Sequence, residues 1–81
     1  MRLLDQERDV CIKDIVVLLT YEEAFELRAD LDQLLESKRK DFHVHLDDKE
    51  YKREITIALY EEGKKYKNFN ERINQLICED L

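Results

Sequence analysis

The sequence contains no proline, no tryptophan and only one glycine, Gly63, among its 81 residues. One glycine is too few for the glycine-rich loops of the Walker or Rossmann type, in which several glycines let the backbone approach a phosphate. The composition therefore excludes the two commonest nucleotide-binding signatures. It also leaves little room for a flexible linker, so we expect one domain over residues 1–81 with a modest core.

Long apolar runs are also missing, and we expect no secretory leader. A transmembrane helix needs about 20 mostly apolar residues, and no such run exists. The N-terminal residues Met1 to Asp9 become charged too early for a secretory signal peptide. The net charge of −6 disfavours contact with anionic lipid or nucleic acid, which would repel it. We therefore expect a soluble, cytoplasmic, acidic protein with no membrane partner, and a nucleic acid is a disfavoured partner.

Cysteine is scarce as well. Cys11 and Cys78 are the only two, and neither has another cysteine or a histidine two to four residues away, the spacing typical of zinc motifs. In a reducing compartment a disulfide between them is disfavoured. We predict free, partly buried thiols and no cofactor.

The chain is organised around an apolar run from Ile15 to Leu19 that leads directly into an amphipathic pattern. Consecutive aliphatic residues, several of them β-branched, predict a buried strand over Val10–Leu19. Thr20 and Glu23 have the spacing of a capping box, which predicts a helix from about Tyr21 to Lys38. The apolar residues on one stripe of that helix are Ala24, Leu27, Leu31, Leu34 and Leu35.

Two alternating segments, Phe42–Leu46 and Tyr51–Tyr60, flank a short polar connection and predict an antiparallel hairpin. A last helix is expected to start near Asn68, an N-cap residue type with Glu71 three residues later. Residues 1–9 either fray or form a short edge strand. The predicted core comprises Leu27, Leu31, Leu34, Phe42, Val44, Ile55, Ile57 and Ile73.

This order, β-α-β-β-α, predicts an α+β fold. We expect a small antiparallel or mixed sheet of three strands, or four if the N-terminal segment pairs, together with two helices. The arrangement would resemble half of a ferredoxin-like fold, with the third strand antiparallel beside the first.

Charge is distributed unevenly along the chain. Residues 1–36 hold four basic and ten acidic side chains, whereas residues 37–67 hold nine basic and seven acidic ones. The predicted topology brings the basic residues to one end, a basic pole, and Glu22, Glu23, Asp47 and Asp48 to the other. The pole is either a site for phosphate or an acidic partner, or a solvated face that complements the helix dipole. Its members are Lys38, Arg39, Lys40, Lys64, Lys65 and Lys67.

His43 and His45 are the only histidines, and their spacing places both rings on one face of a strand. Such a pair binds zinc or copper when other ligands converge on it, and Glu54 and Tyr60 on the next strand are conceivable neighbours. The simpler interpretation is two polar residues on a solvent or interface face. No nucleophile lies at a spacing that would make either histidine a catalytic base.

One face of the predicted sheet needs a cover. It would carry His43, His45, Ala58 and Tyr60, together with every second aliphatic residue of the run Ile15–Leu19. Such a patch is larger than a small monomer normally exposes. Either the second helix or the N-terminal segment with Leu3 and Leu4 covers it, or it is an interaction surface for a protein partner or a second copy of the chain.

Several stretches carry a resemblance. The segments Leu19–Ala24, His43-Val44-His45, Glu54–Ile57 and Phe69–Ile73 resemble small uncharacterised proteins of Gram-positive bacteria. The resemblance implies a small bacterial cytoplasmic protein and supplies no activity or site residues. From the residues we expect a non-enzymatic protein-interaction module; the alternative is a small ligand- or metal-binding protein using His43 and His45.

Overall fold

The computed structural model of the chain describes residues 1–37, 43–62 and 69–81. These residues form an α+β structure with two helices and two antiparallel two-stranded sheets, which confirms the predicted fold class. The predicted core residue Phe42 and the predicted cap Asn68 lie outside the described ranges. The elements are β1 (Leu4–Asp5), β2 (Val10–Cys11), α1 (Tyr21–Glu36), β3 (His43–Asp47), β4 (Glu54–Ala58) and α2 (Glu71–Glu79).

The chain divides into two compact units. One, the terminal unit, comprises Met1–Val17 and Tyr60–Leu81; the other, the central unit, comprises Leu18–Leu59. The terminal unit contains β1, β2 and α2, and the central unit contains α1, β3 and β4. A single domain over residues 1–81 stays a prediction.

Helix α1 starts where the sequence places it. The backbone N–H of Glu23 donates to the Thr20 hydroxyl (3.1 Å), and the Thr20 N–H donates to the Glu23 carboxylate (2.9 Å). These reciprocal bonds form a capping box, which satisfies backbone donors that the first helical turn leaves unpaired. The predicted N-cap and capping box are therefore confirmed.

The core of the central unit lies where α1 packs against β3. Its buried side chains are Leu34 of α1 and Val44 and Leu46 of β3, each at most 7% exposed. Strand β4 pairs antiparallel with β3, Val44 opposite Ile57 and Leu46 opposite Ile55, and both isoleucines are half-buried. The predicted hairpin is confirmed, and the buried side chains of β3 lie on one of its two faces.

Three predicted members of the helical stripe do not belong to the core. Leu31 is 38% exposed and Leu35 is 72% exposed, and Ala24 is also exposed. Successive residues of a helix are about 100° apart around its axis, so Leu35 cannot share the direction of its neighbour Leu34. Because Leu27 and Leu34, seven residues apart, set the inward direction, Leu31 and Leu35 fall to its side.

The terminal unit combines a short strand pair, polar contacts and two buried side chains. Strand β1 pairs antiparallel with β2, which confirms the edge-strand alternative for the N-terminal segment. The Arg72 guanidinium lies 2.6 Å from the Asp9 carboxylate, and Arg2 Nε donates to the Leu76 carbonyl at 3.0 Å. Helix α2 starts two residues later than predicted, since its N-cap is Asn70, whose side chain accepts from the Ile73 N–H. Its buried residues are Leu76 and Ile77, whereas the predicted core residue Ile73 is half-buried.

The prediction of a long strand over Val10–Leu19 is wrong. Strand β2 ends at Cys11, and residues 14–20 form neither helix nor strand. Strand propensity favours an extended chain, but a strand exists only where another backbone supplies hydrogen-bond partners. The three-stranded sheet and the half ferredoxin-like arrangement are consequently not found among the described residues, which contain two separate sheets.

The cysteines and the helix lengths bear on two further expectations. Both cysteines are free, with Cys11 half-buried and Cys78 exposed, so the prediction of unpaired thiols is confirmed and partial burial holds for Cys11 alone.

In the described part of the chain, neither α1 nor α2 combines the length and apolar character that crossing a bilayer requires.

The packing predicts that Leu34→Ala lowers the free energy of unfolding by about 2–4 kcal/mol, because it removes a side chain that is 4% exposed. Leu31→Ala is the matched control on the same helix, and it should cost less than half as much. Urea unfolding followed by circular dichroism measures both. Equal losses in the two variants would show that the inward direction of α1 is misassigned.

Candidate functional site

The two histidines lie on the solvent side of the β3–β4 hairpin. Strand alternation turns Val44 and Leu46 inward, so His43 and His45 are exposed. Their rings meet edge to face with centroids 4.9 Å apart. Across the ladder, His43 is paired with Ala58 and His45 with Thr56. We call this exposed surface of His43, His45, Glu54, Thr56 and Ala58 the histidine face.

His45 is fixed by neighbours on β4. Its Nδ1 lies 2.7 Å from a Glu54 carboxylate oxygen and 3.0 Å from the Thr56 hydroxyl oxygen. An ionised carboxylate only accepts hydrogen bonds, so the Nδ1 proton is the donor to Glu54. In a neutral ring this leaves Nε2 as the lone-pair nitrogen. Glu54 was an expected neighbour, whereas Thr56 was missed, although its place two residues after Glu54 puts it on the same strand face.

The same geometry bears on catalysis. A catalytic triad uses both ring nitrogens, one towards the nucleophile and the other towards the orienting carboxylate. Here the hydroxyl of Thr56 and the carboxylate of Glu54 approach the same nitrogen, Nδ1 of His45. This trio therefore does not have the arrangement of a triad.

The predicted interaction residues are brought together only in part. His43, His45 and Ala58 share the histidine face, but Tyr60 is half-buried and belongs to the terminal unit. For the predicted metal ligands His43 and His45, no group of three histidine, cysteine or acidic side chains suited to a metal ion occurs in ranges 1–37, 43–62 and 69–81.

A cleft of about 410 Å³ lies in the central unit, between the first turns of α1 and the β3–β4 turn. The predicted acidic end is confirmed here, since Glu22, Glu23, Asp47 and Asp48 all line this acidic cleft. Lys49 of the β3–β4 turn connects the two sides of the cleft, because its ammonium lies 3.5 Å from the Glu22 carboxylate of α1. The complete lining is Glu22, Glu23, Glu26, His45, Asp47, Asp48, Lys49 and Tyr51.

Asp48 organises the turn below the cleft. Its carboxylate accepts from the backbone N–H groups of Lys52 (2.8 Å) and Arg53 (3.3 Å) and pairs with the Arg53 guanidinium at 3.1 Å. The Lys52 hydrogen bond lowers the pKa of Asp48 below its ordinary value of 3.8; partial desolvation opposes this, and the Arg53 contacts lower it further. The charged carboxylate is thus part of the folded turn, in which Tyr51 takes a left-handed backbone conformation.

The basic pole lies outside the described residues. All of its members fall within residues 38–42 or 63–68, so the proposed phosphate or acidic-partner site stays a prediction. They are Lys38, Arg39, Lys40, Lys64, Lys65 and Lys67.

Sequence reasoning missed a second apolar surface on α1. Tyr21 is 87% exposed and Phe25 is 59% exposed, and Leu31 and Leu35 extend this apolar surface along the flank of the helix beside its buried face. The Arg28 guanidinium lies 5.0 Å from the centre of the Phe25 ring, a cation–π distance. We call these four apolar residues the outer stripe. Their spacing was visible in the sequence, but it was obscured by the acidic residues that alternate with them.

Comparison with known proteins adds no assignment. No protein-family model matches the chain, and neither a curated protein nor a solved structure matches it. Function is therefore argued from the histidine face, the acidic cleft and the outer stripe.

The contacts of Asp48 predict a specific pH dependence. A carboxylate with a lowered folded-state pKa stabilises the fold above its unfolded pKa, and this stabilisation is lost as the pH falls through the lowered value. Asp48→Asn should therefore be less stable than the wild type at neutral pH, and the gap should close as the pH falls from about 4 towards 2. Urea midpoints across that range measure it.

Arg53→Gln is the control for this prediction. It removes the guanidinium contact but keeps the backbone hydrogen bond from Lys52, the largest cause of the lowered pKa of Asp48. Most of the pH-dependent stability should survive in Arg53→Gln. A gap between Asp48→Asn and wild type that is constant with pH would contradict the role given to the charge.

Proposed function

We propose that this chain is a small, cytoplasmic, non-enzymatic protein-interaction module that binds a protein partner or a second copy of itself. The observation that supports it is the outer stripe of α1. Tyr21, Phe25 and Leu35 are each more than half exposed, while another side of the same helix supplies the core residue Leu34. A helix that is apolar on two sides is expected to be covered on both.

The energetics favour an interaction of moderate strength. Apolar surface gains about 25 cal/mol per Å² when it leaves water, and large aromatic residues contribute the most. Lost translational freedom and the ordering of side chains offset much of that gain. The ring of Phe25 lies 5.0 Å from the Arg28 guanidinium. Because this contact already restrains the ring, Phe25 loses less conformational entropy when a partner binds.

The histidine face is the second contact surface of this proposal. His43, His45 and Ala58 present an aromatic pair beside a small residue on a regular ladder, whereas Tyr60, the fourth residue predicted for this surface, belongs to the terminal unit. The bonds of His45 to Glu54 and Thr56 preorganise the ring, which lowers the entropy lost when a partner binds. The free cysteines fit a reducing, cytoplasmic location.

The test is affinity capture from a bacterial cytoplasmic lysate, combined with sedimentation of the pure chain over a range of concentrations. The wild type should retain a partner protein or a second copy. The Phe25→Ser/Leu35→Ser variant should bind it at least about tenfold more weakly. Both positions are exposed, so the fold should persist. Gln33→Ser, an exposed polar position beside Leu34, is the matched control and should retain the partner.

Two results would contradict the proposal. One is a wild type that stays monomeric and retains nothing above the level of Phe25→Ser/Leu35→Ser. The other is a partner lost equally in the control and in the double variant, which would indicate unfolding rather than a contact. His43→Ser/His45→Ser in the same assay measures the contribution of the histidine face.

A metal- or ligand-binding role for His43 and His45 is the second candidate. One observation favours it: metal-ligating histidines commonly donate their other ring N–H to a carboxylate, as His45 Nδ1 does to Glu54 at 2.7 Å. Nε2 of His45 would be the ligating nitrogen, and the ring of His43 is its immediate neighbour. Further ligands would come from a second copy or from solvent.

If this second candidate holds, excess zinc should raise the melting temperature, because a metal that binds only the folded state stabilises it. His43→Ala/His45→Ala should abolish the rise. Cys78→Ser is the control that removes the exposed thiol as a competing ligand, and it should leave the rise intact. An unchanged melting temperature of the wild type in excess zinc would end the zinc hypothesis.

A further inference from the structure

Within the described chain, the apolar run Ile15–Leu19 combines an unpaired backbone with two strongly exposed side chains, Val16 and Leu18. From Asp14 to Leu18 no backbone N–H or C=O is hydrogen-bonded to another described residue. The same stretch contains no turn or bend. Backbone N–H and C=O groups that are unpaired along an extended segment can form hydrogen bonds with another chain, as those of an edge strand do.

Exposure along the run alternates as in a strand. Val16 and Leu18 are 82% and 89% exposed, whereas Ile15 and Val17 are each 47% exposed. A period of two is the geometry of extended backbone, in which successive side chains point to opposite sides. The run is therefore already shaped as a strand with one bare apolar side, and ordering it in a ladder requires little further loss of backbone freedom.

We propose that Ile15–Leu19 pairs with the same segment of a second copy, as an antiparallel ladder centred on Val17. This inference rests on the proposed interaction function, and it identifies a second copy of the chain as the partner. In the ladder Val17 faces Val17 of the other copy, and Val16 faces Leu18 twice. The two bare sides thereby combine into one patch of four aliphatic side chains, which is the cross-strand pairing that stabilises sheets.

The charged residues that flank the run favour a second copy as the partner, and they favour the antiparallel direction. Lys13 and Asp14 precede the run, and the acidic first turn of α1, with Glu22, follows it. In the antiparallel ladder Asp14 lies opposite Thr20, and Lys13 approaches the Glu22 end of the other copy. A parallel pair would instead set Lys13 against Lys13 and Asp14 against Asp14, which is unfavourable. The segment is thus complementary to itself in one direction, as an interface between two identical copies requires.

The register can be tested with single cysteines. The central residue of a two-fold antiparallel ladder has its Cα about 4.5–5.5 Å from its own copy, within the range that a disulfide spans. Val17→Cys in the full chain should therefore form a disulfide-linked dimer under mild oxidation, with the 17–17 link identified by peptide mass spectrometry. Ile15→Cys is the matched control, since Ile15 is equally exposed but would lie about 13 Å from its copy along the ladder.

The expected result is at least tenfold faster formation of the 17–17 link than of a 15–15 link. Equal rates would indicate a parallel pair or random collision, and no 17–17 link would overturn the proposal. Sedimentation of Leu18→Lys provides a second measurement, because a charge on the bare side should weaken the dimer at least tenfold. Leu35→Lys, a similarly exposed leucine on α1, should weaken it less than threefold.

Failure of this inference can be separated from failure of the proposed function. If Leu35→Lys abolishes association and Leu18→Lys does not, the outer stripe is the contact and the ladder is overturned while the interaction function stands. If residues 15–19 are protected from hydrogen exchange in a chain that stays monomeric, the run pairs within its own chain, which also overturns the ladder. If the pure chain does not associate with itself, the ladder is overturned, and the interaction function is then decided by whether the wild type retains a partner protein from the lysate.

Discussion

The alternation of β3 is the constraint on which the central unit depends. Val44 and Leu46 are buried while His43 and His45 are exposed, and a strand cannot change one set without the other. A slip of one residue in the pairing with β4 would place two imidazoles against Leu34 and two aliphatic side chains in water. The position of the histidines is therefore a consequence of core packing, and the bond between His45 and Glu54 follows from the same register.

Helix α1 joins this core to the surfaces considered for function. Its N-terminus is fixed by the capping box of Thr20 and Glu23, and its inward side is fixed by Leu34. Those two restraints leave Glu22 and Glu26 at the acidic cleft and Tyr21 and Phe25 on the outer stripe. One helix therefore presents carboxylates at one end and aromatic side chains along its free side, the two features on which the proposed function draws.

Buried area is small in both units, so polar contacts carry more of the organisation than in a larger domain. Five hydrophobic side chains among the described residues are buried, divided between Leu34, Val44 and Leu46 in one unit and Leu76 and Ile77 in the other. In the terminal unit, contacts such as Arg72 with Asp9 tie α2 to the N-terminal hairpin. The apolar residues left outside these cores are where association with another chain would gain most.

Local chemistry was readable from the sequence because it depends on neighbours in the chain. The start of α1, the β3–β4 hairpin, the shared face of the histidines and the acidic end follow from capping, alternation and turn composition. The fate of the run Ile15–Leu19 depends on whether another backbone lies beside it, and no local pattern encodes that. The same holds for Leu31 and Leu35: their apolar character is plain in the sequence, but which side of α1 meets β3 is decided by packing over the whole unit.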